Sequence, residues 1–264
     1  TVHTDLFANK KIPDPFYGNN EKQLQWIENE DWEYKTVFSI STNELVQSHI
    51  ELQFDGLDTY AKVFVNDSLV LVSDNMFRSW KVDVKKYVHI GKNKLNIVFE
   101  SAVKKGKEEA KKLSYTLPGD EKVFTRKAQY QYGWDWGPRY VTCGIWKDVK
   151  LITWNELKVN GVRFIQDSII NETAYTRFEF DFVSDFDGEV SLSNYFTIPV
   201  PGTSRGIKCL ERAMLKKGTN SVTLHCEIPK AILWWCNGMG MPYLYQMKLQ
   251  LNKGDIVLYK EIKN

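Results

Sequence analysis

The sequence is poor in the residues that hold metals or close disulfides, with four cysteines and four histidines in 264 residues. No Cys-x-x-Cys motif occurs and the histidines lie far apart, so we expect no metal site. A bridge between Cys209 and Cys226 is possible, but the favoured alternative for these two residues is a pair of buried free thiols.

Long apolar runs and an excess of one charge are also missing. No hydrophobic stretch approaches the ~20 residues of a membrane span, so we expect no membrane partner. The formal net charge is +2 and the lysines are scattered, which argues against the concentrated basic face that binds nucleic acid. Residues 1–5 have no leader-like pattern and the sequence does not begin with methionine. We therefore expect a cloned or processed fragment.

The first half of the sequence has the alternating pattern of half-buried strands. Hydrophobic residues make up 43% of the chain and aromatic residues 14%, which is typical of a folded protein. Period-two runs predict strands at 34–40, 50–54, 59–65, 69–72, 77–84, 95–99 and 145–154. Only residues 102–113 have a helical pattern, and they predict one short surface helix. We therefore expect a β-sandwich of the jelly-roll type.

The strand pattern restarts in the second half of the sequence. Alternating runs span 159–165, 174–183, 189–192, 207–214, 221–228, 245–251 and 256–262, with turns at 185–188, 199–206 and 216–220. Such a series of short strands in about 100 residues matches an immunoglobulin-like sandwich. The usual cysteine pair around a core tryptophan is not evident. We predict an all-β chain with one domain at 1–155 and a second at 156–264.

The most unusual stretch is 129–139, Gln-Tyr-Gln-Tyr-Gly-Trp-Asp-Trp-Gly-Pro-Arg. Its glycines and proline exclude an interior helix, so it predicts a constrained loop that presents Trp134, Asp135 and Trp136. Aromatic faces beside a carboxylate suit a sugar, because the C–H face stacks on the ring while hydroxyls donate to the carboxylate. The alternative is a structural loop whose tryptophans fill a core and whose Asp135 pairs with Arg139.

A second unusual stretch is 234–245, Trp-Trp-Cys-Asn-Gly-Met-Gly-Met-Pro-Tyr-Leu-Tyr. Its adjacent tryptophans, two glycines and proline predict a rigid turn. We expect a loop that packs at a domain interface.

Taken together, these stretches resemble the N-terminal half of a family 2 glycoside hydrolase, most closely the β-mannosidase branch. The blocks that carry the resemblance are 14–21 (Asp-Pro-Phe-Tyr-Gly-Asn-Asn-Glu), 26–32, 54–61 (Phe-Asp-Gly-Leu-Asp-Thr-Tyr-Ala), 129–139, 144–149 (Gly-Ile-Trp-Lys-Asp-Val) and 234–245. Each block alone is a weak signal, but their order over the whole chain is specific. Residues 131–139 point to the β-mannosidases.

The resemblance implies a galactose-binding-like jelly roll, then an immunoglobulin-like sandwich, then a catalytic (β/α)₈ barrel. Such a TIM barrel needs roughly 200 or more residues, and the sequence stops about where the barrel would begin. The family's two catalytic glutamates lie in that barrel, and retaining glycosidases need their carboxyl pair about 5–5.5 Å apart. We therefore expect no catalytic residue in this chain, no cofactor, and no activity of the chain alone.

The resemblance also implies two substrate-binding residues. In β-mannosidases a Trp-Asp pair from the first domain reaches over the barrel and helps form the pocket for the terminal mannose. The matching residues here are Trp134, which would wall the pocket, and Asp135, which would accept hydrogen bonds from sugar hydroxyls. Arg139 would hold the loop in place. Cys236 stands where the family usually has proline, in a turn that would pack the second domain near the barrel. The implied partners are a terminal β-mannoside and the protein's own C-terminal barrel.

Three alternatives stay open. A freestanding carbohydrate-binding module would bind mannose by itself, and a purely structural pair of sandwiches would have no need of Asp135. A family 2 enzyme of the β-galactosidase or β-glucuronidase type is disfavoured by the Trp134–Asp135 loop.

The resemblance implies a periplasmic or secreted protein in a bacterium and a lysosomal one in an animal. The sequons at 66–68 and 171–173 matter only on a eukaryotic secretory route.

Overall fold

A computed structural model of the chain describes residues 1–197 and 206–263. The chain forms two compact units, Thr1–Thr153 and Trp154–Asn264, and each unit has a hydrophobic core of its own. The turn predicted at 199–206 falls, apart from Gly206, outside the described residues. Within the two described ranges, no helix combines the length and the apolar character needed to cross a membrane.

The first unit contains the α-helices and nine strands. The helices are α1 (Val2–Ala8), α2 (Asn20–Gln23), α3 (Thr42–Leu45) and α4 (Ala102–Ala110). The strands are β1 (Trp32–Ile40), β2 (His49–Phe54), β3 (Leu57–Asp58), β4 (Tyr60–Val65), β5 (Ser68–Asp74), β6 (Trp80–Asp83), β7 (Gly91–Glu100), β8 (Gly144–Ile145) and β9 (Val149–Trp154). Short 3₁₀ helices span Gln25–Asn29, Lys85–Tyr87, Asp120–Phe124 and Gln129–Tyr132.

Two sheets of the first unit enclose its core. One has the strand order β1-β7-β4-β5 and the other β6-β2-β9, and β3 pairs with β8 in a third, two-stranded sheet. Strands β2 and β4 alternate strictly between buried and half-buried positions, as the period-two pattern predicts. Ile50 and Phe54 from one sheet pack with Val63 and Phe99 from the other. The predicted β-sandwich is confirmed.

The short turn 66–68 between the strand runs 59–65 and 69–72 predicts a hairpin, and a hairpin joins β4 to β5. Asn66 and Asp67 form its tip with φ of 47° and 66°, the left-handed values that a two-residue hairpin turn requires. The side-chain amide Nδ2 of Asn66 donates to the Tyr87 carbonyl at 2.8 Å and to Asn93 Oδ1 at 2.7 Å. These hydrogen bonds hold the hairpin turn against β7 and the segment that precedes it.

Residues 2–8 form a helix that the sequence did not predict, because only residues 102–113 have a helical pattern. The helix buries Val2 and His3, and the Val2 amide donates to the Cys143 carbonyl at 2.9 Å. Val2 shares a small core with Ile12, Leu24 and Ile27. A helix this short is stabilised by such tertiary packing and not by its own sequence, which is why the pattern of the segment did not reveal it.

The second unit is a sandwich of a three-stranded and a four-stranded sheet. Its strands are β10 (Leu157–Ile170), β11 (Thr173–Ser184), β12 (Gly188–Thr197), β13 (Gly206–Leu215), β14 (Gly218–Ile228), β15 (Gln246–Lys253) and β16 (Ile256–Lys263). The sheets have the orders β10-β11-β14 and β13-β12-β15-β16. Phe178, Phe180 and Phe182 line the inner face of β11 and pack against Leu192 and Leu249 of the opposite sheet. These strands confirm the predicted all-β second half, and the described residues contain no (β/α)₈ barrel.

A disulfide joins Cys209 to Cys226, so the expectation of free thiols at these positions was wrong. The two cysteines lie on β13 and β14, which belong to different sheets. Their Cα atoms are 5.5 Å apart, a usual distance for a disulfide. The strand pattern places both side chains inward but does not reveal that they face each other. The other two cysteines, Cys143 and Cys236, are free.

Candidate functional site

The loop predicted at 129–139 forms a tight turn at the surface of the first unit. The Trp134 amide donates to the Gly137 carbonyl at 3.1 Å, and the Gly137 amide donates back to the Trp134 carbonyl at 3.2 Å. Gly133 precedes the turn with φ of +91°, which a residue with a Cβ would adopt only under strain. This geometry puts Asp135 and Trp136 at the tip.

Both residues that the resemblance assigns to substrate are accessible. Trp134 is 48% exposed and Trp136 is 84% exposed, and Asp135 is exposed as well. The two indoles meet edge to face, with ring centroids 5.8 Å apart. The tryptophans therefore do not fill a core, and the structural alternative is wrong on that point. Contact of Trp134 and Asp135 with a sugar stays a prediction.

Arg139 anchors the loop to two carboxylates. Its Nε and Nη2 donate to the Glu28 carboxylate at 3.0 and 2.8 Å, and Nη2 also donates to Glu121 Oε1 at 3.1 Å. Nη1 donates to the Tyr132 carbonyl at 3.2 Å. The hydrogen bonds to Glu28 raise the pKa of Arg139 further above its usual value. Arg139 therefore holds the loop in place, and its ion pairs are not with Asp135, contrary to the structural alternative.

A buried ion pair lies under the same segment. Lys127 Nζ is 2.6 Å from both carboxylate oxygens of Asp58 and 2.6 Å from the Thr142 carbonyl, and the two side chains are 0% and 1% exposed. Gln131 Nε2 also donates to Asp58, at 3.3 Å. Burial lowers the pKa of Lys127, and the Asp58 carboxylate opposes that shift. Through Gln131 this pair is tied to the 3₁₀ helix that leads into the turn.

Two further groups, the buried His3 and the half-buried Cys143, lie close to this pair. Burial, together with the charge of Lys127, lowers the pKa of His3 from 6.5 to about 4, so the imidazole is neutral near pH 7. Burial raises the pKa of the Cys143 thiol to about 12. A thiol with such a pKa is unreactive, because the thiolate is the nucleophilic form.

A cleft of about 720 Å³ opens beside the turn. We call it the aromatic cleft, and the rings that line it include Phe16, Tyr130, Trp134, Trp136, Pro138 and Tyr140. Polar side chains, among them Thr4, Gln129 and Gln131, lie at the same cleft. Its volume is within the range of small-molecule sites.

The sequence did not predict the contribution of Phe16 and Tyr140 to this cleft. The Tyr140 hydroxyl donates to the Pro15 carbonyl, and the Phe16 and Tyr140 rings meet edge to face at 5.6 Å. Phe16 lies in the block 14–21 that carries the family resemblance, which was the available signal. Its contact with Tyr140, more than 120 positions away in the chain, depends on the tertiary fold and has no local sequence signal.

The stretch 234–245 also presents apolar side chains at the surface. The Trp235 amide donates to the Met241 carbonyl at 3.2 Å and the Met239 amide to the Cys236 carbonyl at 3.1 Å. Trp234, Trp235, Met239 and Met241 are 44–68% exposed. The segment is therefore a hydrogen-bonded turn with an exposed apolar surface, and its packing at a domain interface stays a prediction.

Comparison with known proteins identifies relatives over the whole chain. The family model described as glycosyl hydrolase 2 galactose-binding domain-like matches residues 1–147. The proteins named β-mannosidase B from Aspergillus flavus and Neosartorya fischeri are 34% and 35% identical over 268 residues, covering 99% of this chain and 31% of each relative. The chain therefore spans about a third of the length of the curated relatives that it matches.

Solved structures give the same result. The crystal structure of a β-D-mannosidase from Dictyoglomus thermophilum has a TM-score of 0.90 and 34% identity, covering 99% of this chain and 32% of that one. An exo-chitosanase from Amycolatopsis orientalis has a TM-score of 0.71 at 20% identity, covering 100% of this chain and 28% of that one. The second likeness, at so low an identity, concerns the fold alone.

Proposed function

This chain belongs to glycosyl hydrolase family 2 through its galactose-binding-like domain, and from that premise we propose that it is the non-catalytic N-terminal part of a retaining β-mannosidase. The complete enzyme would hydrolyse terminal, non-reducing β-D-mannose residues without a cofactor. The observation that carries the proposal is the match of 99% of this chain to 31% of proteins named β-mannosidase B. The remaining two thirds of those relatives have ample length for a catalytic barrel.

The two unusual loops are proposed to face that barrel. The Trp134 turn would complete the pocket for the terminal mannose, and the exposed turn at 234–245 would pack near the barrel. Support comes from the exposed apolar side chains of both loops, because large apolar patches of this kind mark interaction surfaces.

Within the pocket, Asp135 would accept hydrogen bonds from sugar hydroxyls and Trp134 would form a wall. Asp135 would orient the substrate without taking part in proton transfer. A charge-assisted hydrogen bond is worth roughly 1.5–3 kcal/mol, which corresponds to about 10- to 100-fold in rate or affinity. The Arg139 ion pairs favour this role because they fix the turn before substrate arrives.

The substitution Asp135→Asn in the complete enzyme tests the role of the loop. We expect kcat/KM for an aryl β-mannoside to fall about 10- to 100-fold. The matched control is Asp67→Asn, because Asp67 is also an exposed aspartate at the tip of a tight turn, between β4 and β5. Equal kcat/KM for the two variants would remove Asp135 from the pocket.

The chain alone provides a second test. It should not hydrolyse a chromogenic β-mannoside, since the family's catalytic glutamates lie in the barrel. Turnover that persists at constant specific activity through repurification would overturn the proposal.

We further propose that the protein folds in an oxidising compartment and is periplasmic or secreted in a bacterial source, or lysosomal in an animal source. The Cys209–Cys226 disulfide supports this, because disulfides persist mainly in such compartments.

A further inference from the structure

The aromatic cleft is larger and more exposed than the wall of a single-sugar pocket requires. Trp136 is 84% exposed, Phe16 76% and Tyr130 66%, and all three line the cleft beside Trp134. Contiguous exposed apolar patches mark binding sites for a ligand or a partner. The proposed contact to the terminal mannose uses Trp134 and Asp135 and involves none of these three rings.

The rings are held open by the surrounding structure. Trp136 meets Trp134 edge to face. This contact does not fully cover either face of the Trp136 indole. The edge-to-face contact of Phe16 with Tyr140 likewise fixes the Phe16 ring. The turn that bears Trp136 is closed by two backbone hydrogen bonds and anchored through Arg139. Little conformational entropy is therefore left to lose when a ligand stacks here.

We propose that the aromatic cleft binds the sugar unit or units attached on the reducing side of the terminal mannose, with Trp136 as the main stacking surface. This inference rests on the proposed function. Trp134 lines the cleft and is the neighbour of Asp135, so the cleft is continuous with the proposed terminal-sugar contact. A terminal non-reducing residue is linked on one side only, so any further sugar beside it lies on the reducing side.

The chemistry of the cleft suits a pyranose. The C–H face of the sugar stacks on Trp136 and Phe16, as apolar surfaces do on aromatic rings. The side chains of Thr4, Gln129 and Gln131 lie at the same cleft and supply hydroxyl and amide groups for the sugar hydroxyls. The cleft volume of about 720 Å³ accommodates more than one ring.

The direct test is a calorimetric titration of this chain with mannose and with a β-linked mannotriose. We expect the trisaccharide to bind in the millimolar range and more tightly than mannose. The substitution Trp136→Ala should weaken trisaccharide binding roughly tenfold or more, and Phe16→Ala should weaken it less. Tyr17→Ala is the matched control, because Tyr17 is 75% exposed and next to Phe16 but does not line the cleft. It should leave binding unchanged.

Folding is checked by circular dichroism, and the exposure of Trp136 and Phe16 makes folded variants the expected result. Equal affinity of the chain for mannose and mannotriose would overturn the proposal. So would equal trisaccharide binding by the wild-type chain and Trp136→Ala.

A kinetic test in the complete enzyme separates this inference from the proposed function. Trp136→Ala should lower kcat/KM for mannotriose relative to methyl β-mannoside, which has no ring on its reducing side, and mainly through KM, whereas Asp135→Asn should lower kcat/KM for both substrates. Trp136→Ala could leave the ratio of the two kcat/KM values unchanged although the isolated wild-type chain binds mannotriose. That result would mean that the catalytic part covers the cleft. The inference would then fail, while the role of Asp135 stood. A changed ratio with no effect of Asp135→Asn would overturn the role of Asp135 alone.

Discussion

Replacing Lys127 by methionine should destabilise the first unit more than almost any other single polar substitution. Lys127 is fully buried and its Nζ is 2.6 Å from both oxygens of Asp58. The variant would leave the Asp58 carboxylate buried without its counter-charge. Breaking a buried pair in this way typically costs about 3–5 kcal/mol. For a domain of this size, that loss corresponds to a fall in melting temperature of roughly 6–20 °C.

The assay is differential scanning calorimetry of the whole chain, because the two units can melt separately. The transition of the first unit should move, and that of the second unit should not. Lys150→Met is the matched control: Lys150 also pairs with an aspartate, Asp55, but is 48% exposed. An exposed pair of this kind is worth at most about 1 kcal/mol.

The double variant Asp58→Asn, Lys127→Met completes a thermodynamic cycle. It removes both charges, so it should be more stable than Lys127→Met alone, because no uncompensated carboxylate remains. The reasoning is refuted if Lys127→Met shifts the transition no further than Lys150→Met. It is also refuted if the double variant loses as much free energy of unfolding as Asp58→Asn and Lys127→Met lose together.

Two further predictions concern the buried His3 and the disulfide. The pKa of His3 is lowered from 6.5 to about 4, so between these values the unfolded chain binds a proton that the folded chain does not. The free energy of unfolding should fall as the pH is lowered from about 6.5 towards 4, and urea titrations should give a flatter dependence for His3→Gln; an equally steep curve would show that other groups cause it. The Cys209–Cys226 disulfide spans 17 positions, so Cys209→Ala, Cys226→Ala should lower the free energy of unfolding of the second unit by about 3 kcal/mol. A thiol assay of the unreduced, denatured chain should count the Cys143 and Cys236 thiols only, and four reactive thiols would contradict the disulfide.

Much of the β architecture follows from short-range patterns. Strand β2 alternates strictly because every second side chain of a strand faces the same side. The hairpin at Asn66 and Asp67 was predicted because a short turn separates two β-branched runs. The constrained turn at Trp134–Gly137 was predicted from its glycines and proline. In each case the determining interactions lie within a few residues.

The family resemblance pointed to the candidate loop but not to the residues that support it. Arg139 was expected to hold the loop, yet its partner Glu28 lies 111 positions away and has no local signal. The same is true of Lys127 and Asp58, which are 69 positions apart, and of the approach of Phe16 to Tyr140. Charged and aromatic residues recur throughout the sequence, so their pairing depends on which strands the fold brings together.

The sequence by itself determined most of the strands and the constrained turn at Trp134–Gly137, because backbone preferences and the two-residue period act locally. Only the tertiary structure decided that residues 2–8 form a helix, that Cys209 faces Cys226 across two sheets, and that Phe16 and Trp136 line one cleft. These features depend on packing between distant segments, and the free energy that selects them belongs to the assembled core and not to any segment alone.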